Sequence, residues 1–244
     1  MIPKVIHYIW LGHNPMPKVV KKCLKSWEKF CPDYEIKRWD ETNLDLNICK
    51  YAKDAYDAKK WAFASDFFRF YILQKEGGIY LDTDVLLLQS LDKFLDNKCF
   101  FGIEKSRDSI FVNPGLVIGA EKNCKLIDEM VDYYKNDTFS YIQGSGIETV
   151  CVKMTKLLEE KYNFKKEDKC QQLGDIKIYS AEYFCPIDYA FGKCMYQTKN
   201  TVSKHLYSAT WQDKKSHFKW LKYFVRKVIG DKNYQKLKEK LRRG

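Results

Sequence analysis

Two carboxylates, Asp82 and Asp84, stand one residue apart in a mostly apolar segment, residues 77–88. Ionised carboxylates are seldom buried without a partner, so two of them require a compensating cation. A hard divalent metal ion with oxygen ligands is the simplest such cation. If the segment is an extended strand, the two side chains point to the same side and reach one ion. The alternative is a strand-end turn in which both acids are solvated.

A second pair of charges, Asp66 and Arg69, lies in a strongly aromatic helical pattern at residues 62–71. Residues three apart on a helix share a face. One interpretation is an ion pair within the helix. The other is a binding site, in which Asp66 accepts hydrogen bonds from ligand hydroxyls and Arg69 holds an anionic group.

Three further side chains suit a nucleotide or metal site. A neutral His205 imidazole could complete a metal centre, and the Trp211 indole N–H could donate to a phosphate oxygen. Trp10, at the end of a predicted strand, could stack on a flat base. Each residue also has a structural alternative, a hydrogen-bonded histidine or a tryptophan at the edge of the core.

Apolar periodicity predicts the elements that must position these residues. Strands are predicted over residues 5–11, 35–39, 99–104, 116–120 and 176–179, with another around Asp82 and Asp84. Helices are predicted over 19–30, over 52–74 with a break near Lys59, and over 125–135 and 147–161, the last opened by residues 144–146. A stop is expected at Gly77-Gly78.

Strands that alternate with helices predict an α/β domain with a mainly parallel central sheet. Ligands of such sheets bind outside the carboxyl ends of the strands. Trp10 and the Asp82–Asp84 segment each lie near the end of a predicted strand, so we expect them to converge.

The composition restricts the class of protein. Of the 244 residues, 45% are hydrophobic and 16% aromatic, which is typical of a folded globular chain. Nine scattered cysteines without a Cys-x-x-Cys pair favour reduced thiols in the cytoplasm over disulfides or a zinc site. Neither a secretory signal nor a transmembrane run is expected.

The positive charge is concentrated at the C-terminal end. Residues 214–244 contain 12 Lys or Arg and two acids, whereas the other 213 residues contain 31 bases and 30 acids. A nucleic-acid-binding surface would spread its charge over the body of the protein. From residue 217 to 229 the apolar residues fall on one helical arc and basic residues on the next. This predicts a basic amphipathic helix for an anionic membrane surface, or else a helix packed on the body.

Together, residues 2–10, 64–69, 77–84 and 205–211 resemble, in this order, the glycosyltransferases named for an Asp-x-Asp sugar-binding region. That group includes fungal α-mannosyltransferases, bacterial capsular and surface polysaccharide transferases and, distantly, the glucosylating clostridial toxins. The resemblance implies a GT-A nucleotide-sugar-binding fold over residues 1–213, followed by the basic tail at 214–244.

The resemblance also implies roles for single residues. It implies a stereochemistry-retaining transfer that depends on Mn²⁺ or Mg²⁺ and uses a UDP-sugar in preference to a GDP-sugar. Asp84 would be the principal metal ligand, with Asp82 and His205 completing the site, and Asp82, Asp84 and Arg69 would form the catalytic set. The donor would be bound by Trp10, Asp66, Arg69, Tyr80, Asp82, Asn113 and Trp211.

The expected protein is therefore a hexosyltransferase at the inner face of the membrane. Its acceptor would be a glycan or a lipid-linked sugar in surface polysaccharide synthesis. Two alternatives stay open at this point. One is a metal-dependent phosphotransferase or hydrolase that uses the same acid pair, and the other is a non-enzymatic polyanion-binding module that acts through the tail.

Overall fold

The apolar segments of this chain assemble into an α/β domain in a computed structural model. All described residues belong to one unit of the chain, Met1–Ser208. The predicted tail helix at 214–244 and Trp211 lie outside the described residues. Within the described part, no helix is both long enough and apolar enough to cross a lipid bilayer. The structure describes residues 1–106, 109–140, 148–188, 193–194 and 197–208.

The described chain contains twelve strands and six α-helices, which alternate only in its first part. The strands are β1 (Val5–Ile9), β2 (Glu35–Trp39), β3 (Gly78–Tyr80), β4 (Val85–Leu87), β5 (Cys99–Ser106), β6 (Ser109–Val112), β7 (Ile118–Ala120), β8 (Gln171–Leu173), β9 (Ile176–Tyr179), β10 (Ile187–Asp188), β11 (Lys193–Cys194) and β12 (Ser203–His205). The helices are α1 (Lys18–Phe30), α2 (Lys50–Asp57), α3 (Trp61–Glu76), α4 (Lys125–Lys135), α5 (Val150–Tyr162) and α6 (Ala181–Phe184), with a short 3₁₀ turn at Asp92–Phe94.

The central sheet has the order β2-β1-β3-β7-β5-β9-β8, and β6 pairs with β5. β1 runs parallel to both β2 and β3, and β5 runs parallel to β9. β7 is inserted antiparallel between β3 and β5. Among the described strands of this sheet, β2, β1, β3, β5 and β9 therefore point the same way. The expected mainly parallel α/β sheet is confirmed.

The helix predictions are confirmed where the described residues allow a comparison. The break near Lys59 separates α2 from α3, because Lys59 adopts a left-handed φ of 58° that an α-helix cannot continue through. α3 ends at Gly77, whose φ is 68° and whose N–H bonds the Leu73 carbonyl at 2.8 Å. α5 begins at Val150, and the predicted start of this helix at residues 144–147 lies outside the described residues.

The predicted strand through Asp82 and Asp84 is wrong. β3 ends at Tyr80, a turn follows in which the Val85 N–H bonds the Asp82 carbonyl at 3.0 Å, and β4 then begins. β4 does not join the central sheet but pairs antiparallel with β12. The apolar residues before the acids are buried in the central sheet. Those after the acids are buried in the separate ribbon of β4 and β12.

A buried histidine on β1 explains the glycine at position 78. His7 is fully buried, its Nε2 lies 2.9 Å from the Gly77 carbonyl oxygen, and its Nδ1 accepts from the Trp39 indole at 3.1 Å. An indole N–H only donates, so the proton of the neutral ring is on Nε2. A Cβ on Gly78, whose φ is 99°, would lie 2.9 Å from His7 Nε2. Glycine thus lets β3 lie against β1.

We predict that His7 makes the unfolding free energy fall in mild acid. Burial lowers its pKa from 6.5 to about 4. At pH values between these two pKa values, the unfolded chain binds a proton that the native chain does not bind. The unfolding free energy therefore falls as the pH falls from 6.5 to 4. The shift corresponds to about 3 kcal/mol. His7→Gln keeps an N–H donor but does not titrate.

Urea unfolding of the wild type and of His7→Gln at pH 7.5 and pH 4 measures this difference. We expect the variant to lose less of its unfolding free energy between the two pH values. Equal losses in the two proteins would show that His7 is not the group responsible.

Candidate active site

The segment after β3 is held at the edge where the parallel strands β1 and β3 both end. The Leu81 N–H bonds the carbonyl of His7, and the Asp82 N–H bonds the carbonyl of Gly115, each at 3.1 Å. Trp10 directly follows β1, and its N–H bonds the Trp39 carbonyl at 2.9 Å. The sheet therefore brings the predicted base-stacking residue and the acid pair to one edge, as ligand sites of α/β sheets require.

Trp10 itself is partly exposed and fixed by a local contact. Its indole Nε1 donates to the Asn14 carbonyl at 2.7 Å. The indole N–H is thus occupied, while stacking on a base would use the ring face. That role stays a prediction.

The Arg69 guanidinium joins α3 to the segment that follows β3. Its Nη2 lies 2.7 Å from Asp66 Oδ1 and 3.5 Å from Asp82 Oδ1. Its Cζ lies 4.9 Å from the centre of the Tyr80 ring. The ion pair within the helix is present, but the same guanidinium also faces the acid that follows β3. The two interpretations of Asp66 and Arg69 are therefore compatible.

Asp82 is held on two sides and remains the more accessible acid of the pair. Its Oδ1 accepts from the buried Tyr80 hydroxyl at 2.9 Å, and its side chain is 29% exposed compared with 12% for Asp84. A Cβ on Gly115 would lie 2.2 Å from Asp82 Oδ2. Glycine at position 115 is therefore required for the close approach of the carboxylate, a signal that the sequence alone does not reveal.

Asp84 is bound by a segment more than a hundred residues away in the chain. Its Oδ1 lies 3.0 Å from His205 Nε2, and its Oδ2 accepts from the Ser208 N–H at 2.8 Å and the Ser208 hydroxyl at 3.0 Å. The pairing of β12 with β4 sets His205 opposite Val85, and the Leu206 N–H bonds the Asp84 carbonyl. The alternative of a strand-end turn is therefore correct about the turn but wrong about Asp84, which is not solvated.

The two acids of the motif have different electrostatic environments. Burial alone would raise the pKa of Asp84, but His205 and Ser208 outweigh it and lower this pKa to about 2. Burial raises the pKa of Asp82, and Arg69 only partly offsets the effect. Burial also raises the pKa of Asp66 to about 7. Asp84 is therefore the most firmly ionised of these carboxylates.

The histidine beside Asp84 favours its charged form in this structure. Burial opposes protonation, but the negative charge of Asp84 raises the pKa of His205 above its usual value of 6.5. Its Nδ1 is buried and has no hydrogen-bond partner among the residues that the structure describes. A buried ring nitrogen without a partner calls for an explanation, and a bound group is one.

A divalent metal ion fits this set of side chains. Ligand atoms of Asp82, Asp84 and His205 all lie within 4.8 Å of one another. Carboxylate oxygens with one imidazole nitrogen suit Mn²⁺, and carboxylate oxygens suit Mg²⁺. The structure thus brings together the three residues that the sequence analysis assigned to a metal.

Asn113 is buried and holds the loop beneath Asp82. Its Oδ1 accepts from the Gly115 N–H at 2.7 Å, and its Nδ2 donates to the Glu104 carboxylate. Glu104 was not predicted as a site residue. The signal was present, because it is a charged residue at the end of the apolar strand predicted over residues 99–104, as unexpected there as Asp82 in its own segment.

Tyr207 and Ser208 were also missed. The Tyr207 ring lies perpendicular to the His205 imidazole, with 4.3 Å between the ring centres, and its hydroxyl lies 2.9 Å from Cys185 Sγ. Tyr207 has a left-handed φ of 48°, which is uncommon for an aromatic residue and is often found at functional sites. The predicted phosphate donor Trp211 lies outside the described residues.

Sequence comparison finds proteins named as glycosyltransferases. Residues 17–101 match the family described as glycosyltransferase sugar-binding region containing DXD motif. The chain is 27% identical to an uncharacterized glycosyltransferase of Acanthamoeba polyphaga mimivirus, over 92% of this chain and 88% of that protein. It is 30% identical to the initiation-specific alpha-1,6-mannosyltransferase of Candida albicans over 49% of this chain, but spans only 32% of that protein.

A comparison with solved structures agrees on the fold. The chain is similar to the crystal structure of a glycosyltransferase involved in the glycosylation of the major capsid of PBCV-1, with a TM-score of 0.50. The similarity covers 88% of this chain and 98% of that chain at 16% identity. At this identity the likeness concerns the fold alone.

We predict that Gly115→Ala displaces Asp82 without unfolding the domain. The added Cβ would clash with the Asp82 carboxylate, whereas the φ of Gly115 is not positive and accepts alanine. Displacing a group that orients metal ligands typically weakens metal binding about 10- to 100-fold. Isothermal titration with Mn²⁺ measures this loss, and circular dichroism checks the fold.

Gly174→Ala is the matched control. A Cβ at Gly174 meets nothing within 4 Å, although its φ is 61°. This variant should lose about 1 kcal/mol of stability from backbone strain but bind Mn²⁺ normally. Unchanged Mn²⁺ affinity in Gly115→Ala would mean that the position of Asp82 does not matter for the metal.

Proposed function

Because this chain is a glycosyltransferase with a DXD-containing sugar-binding region, we propose that it transfers a hexose from a nucleotide-sugar to a glycan or lipid-linked acceptor. The observation that carries the proposal is the convergence of Asp82, Asp84 and His205 beside Arg69 at one edge of the sheet. The phosphotransferase or hydrolase and the polyanion-binding module are not retained, since neither is a glycosyltransferase.

Asp84, His205 and Asp82 would hold a Mn²⁺ or Mg²⁺ ion in this proposal. When bound, such an ion neutralises the negative charge that develops on a nucleoside diphosphate leaving group. Asp84 is the firmest ligand, because its pKa of about 2 keeps it ionised at any physiological pH. Asp82 is more exposed and would also serve the hydroxyls of the donor.

Arg69 supplies a positive charge whose position is fixed before the donor binds. Its guanidinium is 4% exposed and is held by Asp66, by the Tyr80 ring and by the Ser65 carbonyl at 3.3 Å. A cation held in this way costs little reorganisation when it meets the donor sugar or phosphate. Asp66 acts chiefly by orienting Arg69, and Tyr80 orients Asp82.

The contacts of the site carboxylates favour a transfer without a covalent enzyme intermediate, and retention of stereochemistry is what the family resemblance implies. Within the described residues, Asp66 is paired with Arg69, Asp84 with His205 and Ser208, and Glu104 with Asn113. Asp82 accepts from the Tyr80 hydroxyl. Each acid thus already has a hydrogen-bonding task, unlike the nucleophile of a double-displacement glycosidase. We infer that the acceptor attacks the face from which the diphosphate leaves, with the leaving phosphate taking the acceptor proton.

The remaining parts of the proposal concern residues beyond these contacts. Trp10 would stack on the base of the donor, with a UDP-sugar preferred over a GDP-sugar, and Trp211 would donate to the diphosphate. Asn113 would orient the loop near the donor sugar. The basic tail, residues 214–244, would bind the cytoplasmic face of an anionic membrane, where acceptors of surface polysaccharide synthesis are found.

We predict nucleotide release from a UDP-sugar that requires a divalent ion. A screen of UDP- and GDP-hexoses with Mn²⁺ should give turnover with at least one UDP-sugar and none after EDTA is added. Turnover that survives EDTA would remove the metal from the proposal, and no release or binding with any donor would end it.

Asp84→Asn tests the assignment of the metal within the same assay. Asparagine can still accept a hydrogen bond from Ser208, so the fold should survive, while Mn²⁺-dependent donor binding should fall about 100-fold. Asp175→Asn is the control, because its side chain is 71% exposed and pairs only with a surface lysine among the described residues. Equal Mn²⁺ dependence in the two variants would assign the metal to other residues.

A separate prediction concerns the tail. Replacing Lys219, Lys222 and Arg226 by Gln removes three positive charges from the predicted basic arc. Each such charge near an anionic membrane contributes up to about 1 kcal/mol, so flotation with anionic vesicles should weaken by about 100-fold. A variant that floats as well as the wild type would show that these residues do not face the membrane.

A further inference from the structure

Helix α1 presents a face made of lysines. At 100° per residue, its five lysines fall within an arc of about 100°. The opposite side of the helix is buried against the domain through Val20, Cys23, Ser26 and Trp27. All five of the lysines are exposed, and they are Lys18, Lys21, Lys22, Lys25 and Lys29.

These lysines lack the acidic partners that lysines have on other helices. On α2, Lys50 pairs with Asp54 at 2.6 Å and Lys53 pairs with Asp57 four residues on. On α4, Lys125 lies 3.9 Å from Glu129. By contrast, no acid of the described residues lies within 4.0 Å of the α1 lysines.

A row of like charges weakens its own helix, and the exposed Glu28 beside the row forms no ion pair within 4.0 Å with these lysines. Lys18 and Lys22, and likewise Lys21 and Lys25, stand four residues apart, where like charges repel. The residues outside the tail carry almost equal numbers of bases and acids, so this concentration is local. A polyanionic surface that covers the lysine face would replace the repulsion by attraction.

We propose that the lysine face of α1 binds an anionic phospholipid surface, as a membrane contact of the catalytic domain separate from the tail. From Lys18 to Lys29 the row runs about 16 Å along a straight helix, which suits a flat surface. The face contains lysine but no arginine, so it lacks the planar groups that stack on bases or grip single phosphates in pairs. Mobile headgroups match flexible point charges better than a nucleic acid does.

This contact would fix the orientation of the active site towards the membrane. On the buried side of α1, the Trp27 indole donates to the Val85 carbonyl at 2.8 Å, and Ser26 Oγ accepts from the Leu87 N–H at 3.0 Å. Val85 directly follows Asp84 in the chain. A surface on the exposed side therefore lies about one helix diameter, about 10 Å, from the β4 segment. That this favours a lipid-linked acceptor rests on the proposed function, whereas the membrane contact does not.

The experiment uses the full chain with the substitutions Lys18→Gln, Lys22→Gln and Lys25→Gln. Flotation is measured on vesicles of phosphatidylglycerol and phosphatidylcholine, mixed about one to two, and on phosphatidylcholine alone. Each lysine near the surface is worth about fivefold in partitioning, so the triple variant should bind the anionic vesicles about 100-fold more weakly. Its dependence on salt should also decrease.

The matched control carries Lys50→Gln, Lys53→Gln and Lys169→Gln. It removes the same charge from lysines that have acidic partners, so its partitioning should change by no more than about threefold. Thermal unfolding checks that both variants fold. Nucleotide release with a soluble acceptor should be the same in all three proteins, which separates a failure of this proposal from a failure of the proposed function.

Two results would overturn the membrane contact. One is equal flotation of the α1 variant and the control. The other is a loss of binding to a nucleic-acid duplex with vesicle binding unchanged, which would assign the lysine face to a different partner.

Discussion

The pairing of the buried Arg69 guanidinium is the interaction on which the candidate active site depends. A buried cation is tolerated only with close anionic partners, and Arg69 has Asp66 on its own helix and Asp82 on the segment after β3. The two carboxylates belong to different elements, so α3 and the end of β3 must lie side by side. The turn at Gly77-Gly78, packed against His7, produces that arrangement.

The same charges support the proposed metal ion. Asp66, Asp82, Asp84 and Glu104 surround the site, whereas the described cations close to the motif are Arg69 and a protonatable His205. Arg69 faces Asp66 and Asp82, whereas Asp84 is paired with His205 and hydrogen-bonded to Ser208. A divalent ion at Asp84 would complete the balance. The proposed division of roles rests on exposure, since the Asp82 side chain is more accessible than that of Asp84.

Local features of the chain were predictable where the structure depends on neighbours in sequence. The helices α1 and α4, the break at Lys59 and the stop at Gly77 follow from apolar periodicity and from backbone conformations that few residues adopt. The strand through Asp82 and Asp84 was wrong for the opposite reason. An apolar run that serves two different sheets has the same periodicity as one long strand, so periodicity alone did not decide between the strand and the strand-end turn.

By itself, the sequence determined the class of fold, the residues available for chemistry and their order along the chain, because side-chain identity and short-range periodicity are local properties. The tertiary structure alone decided which of those residues meet. Asp84 contacts His205 and Ser208 only because β12 pairs with β4. Gly115 matters only because Asp82 folds against it. Such contacts join segments far apart in sequence, and their geometry follows from packing of the whole domain rather than from any local pattern.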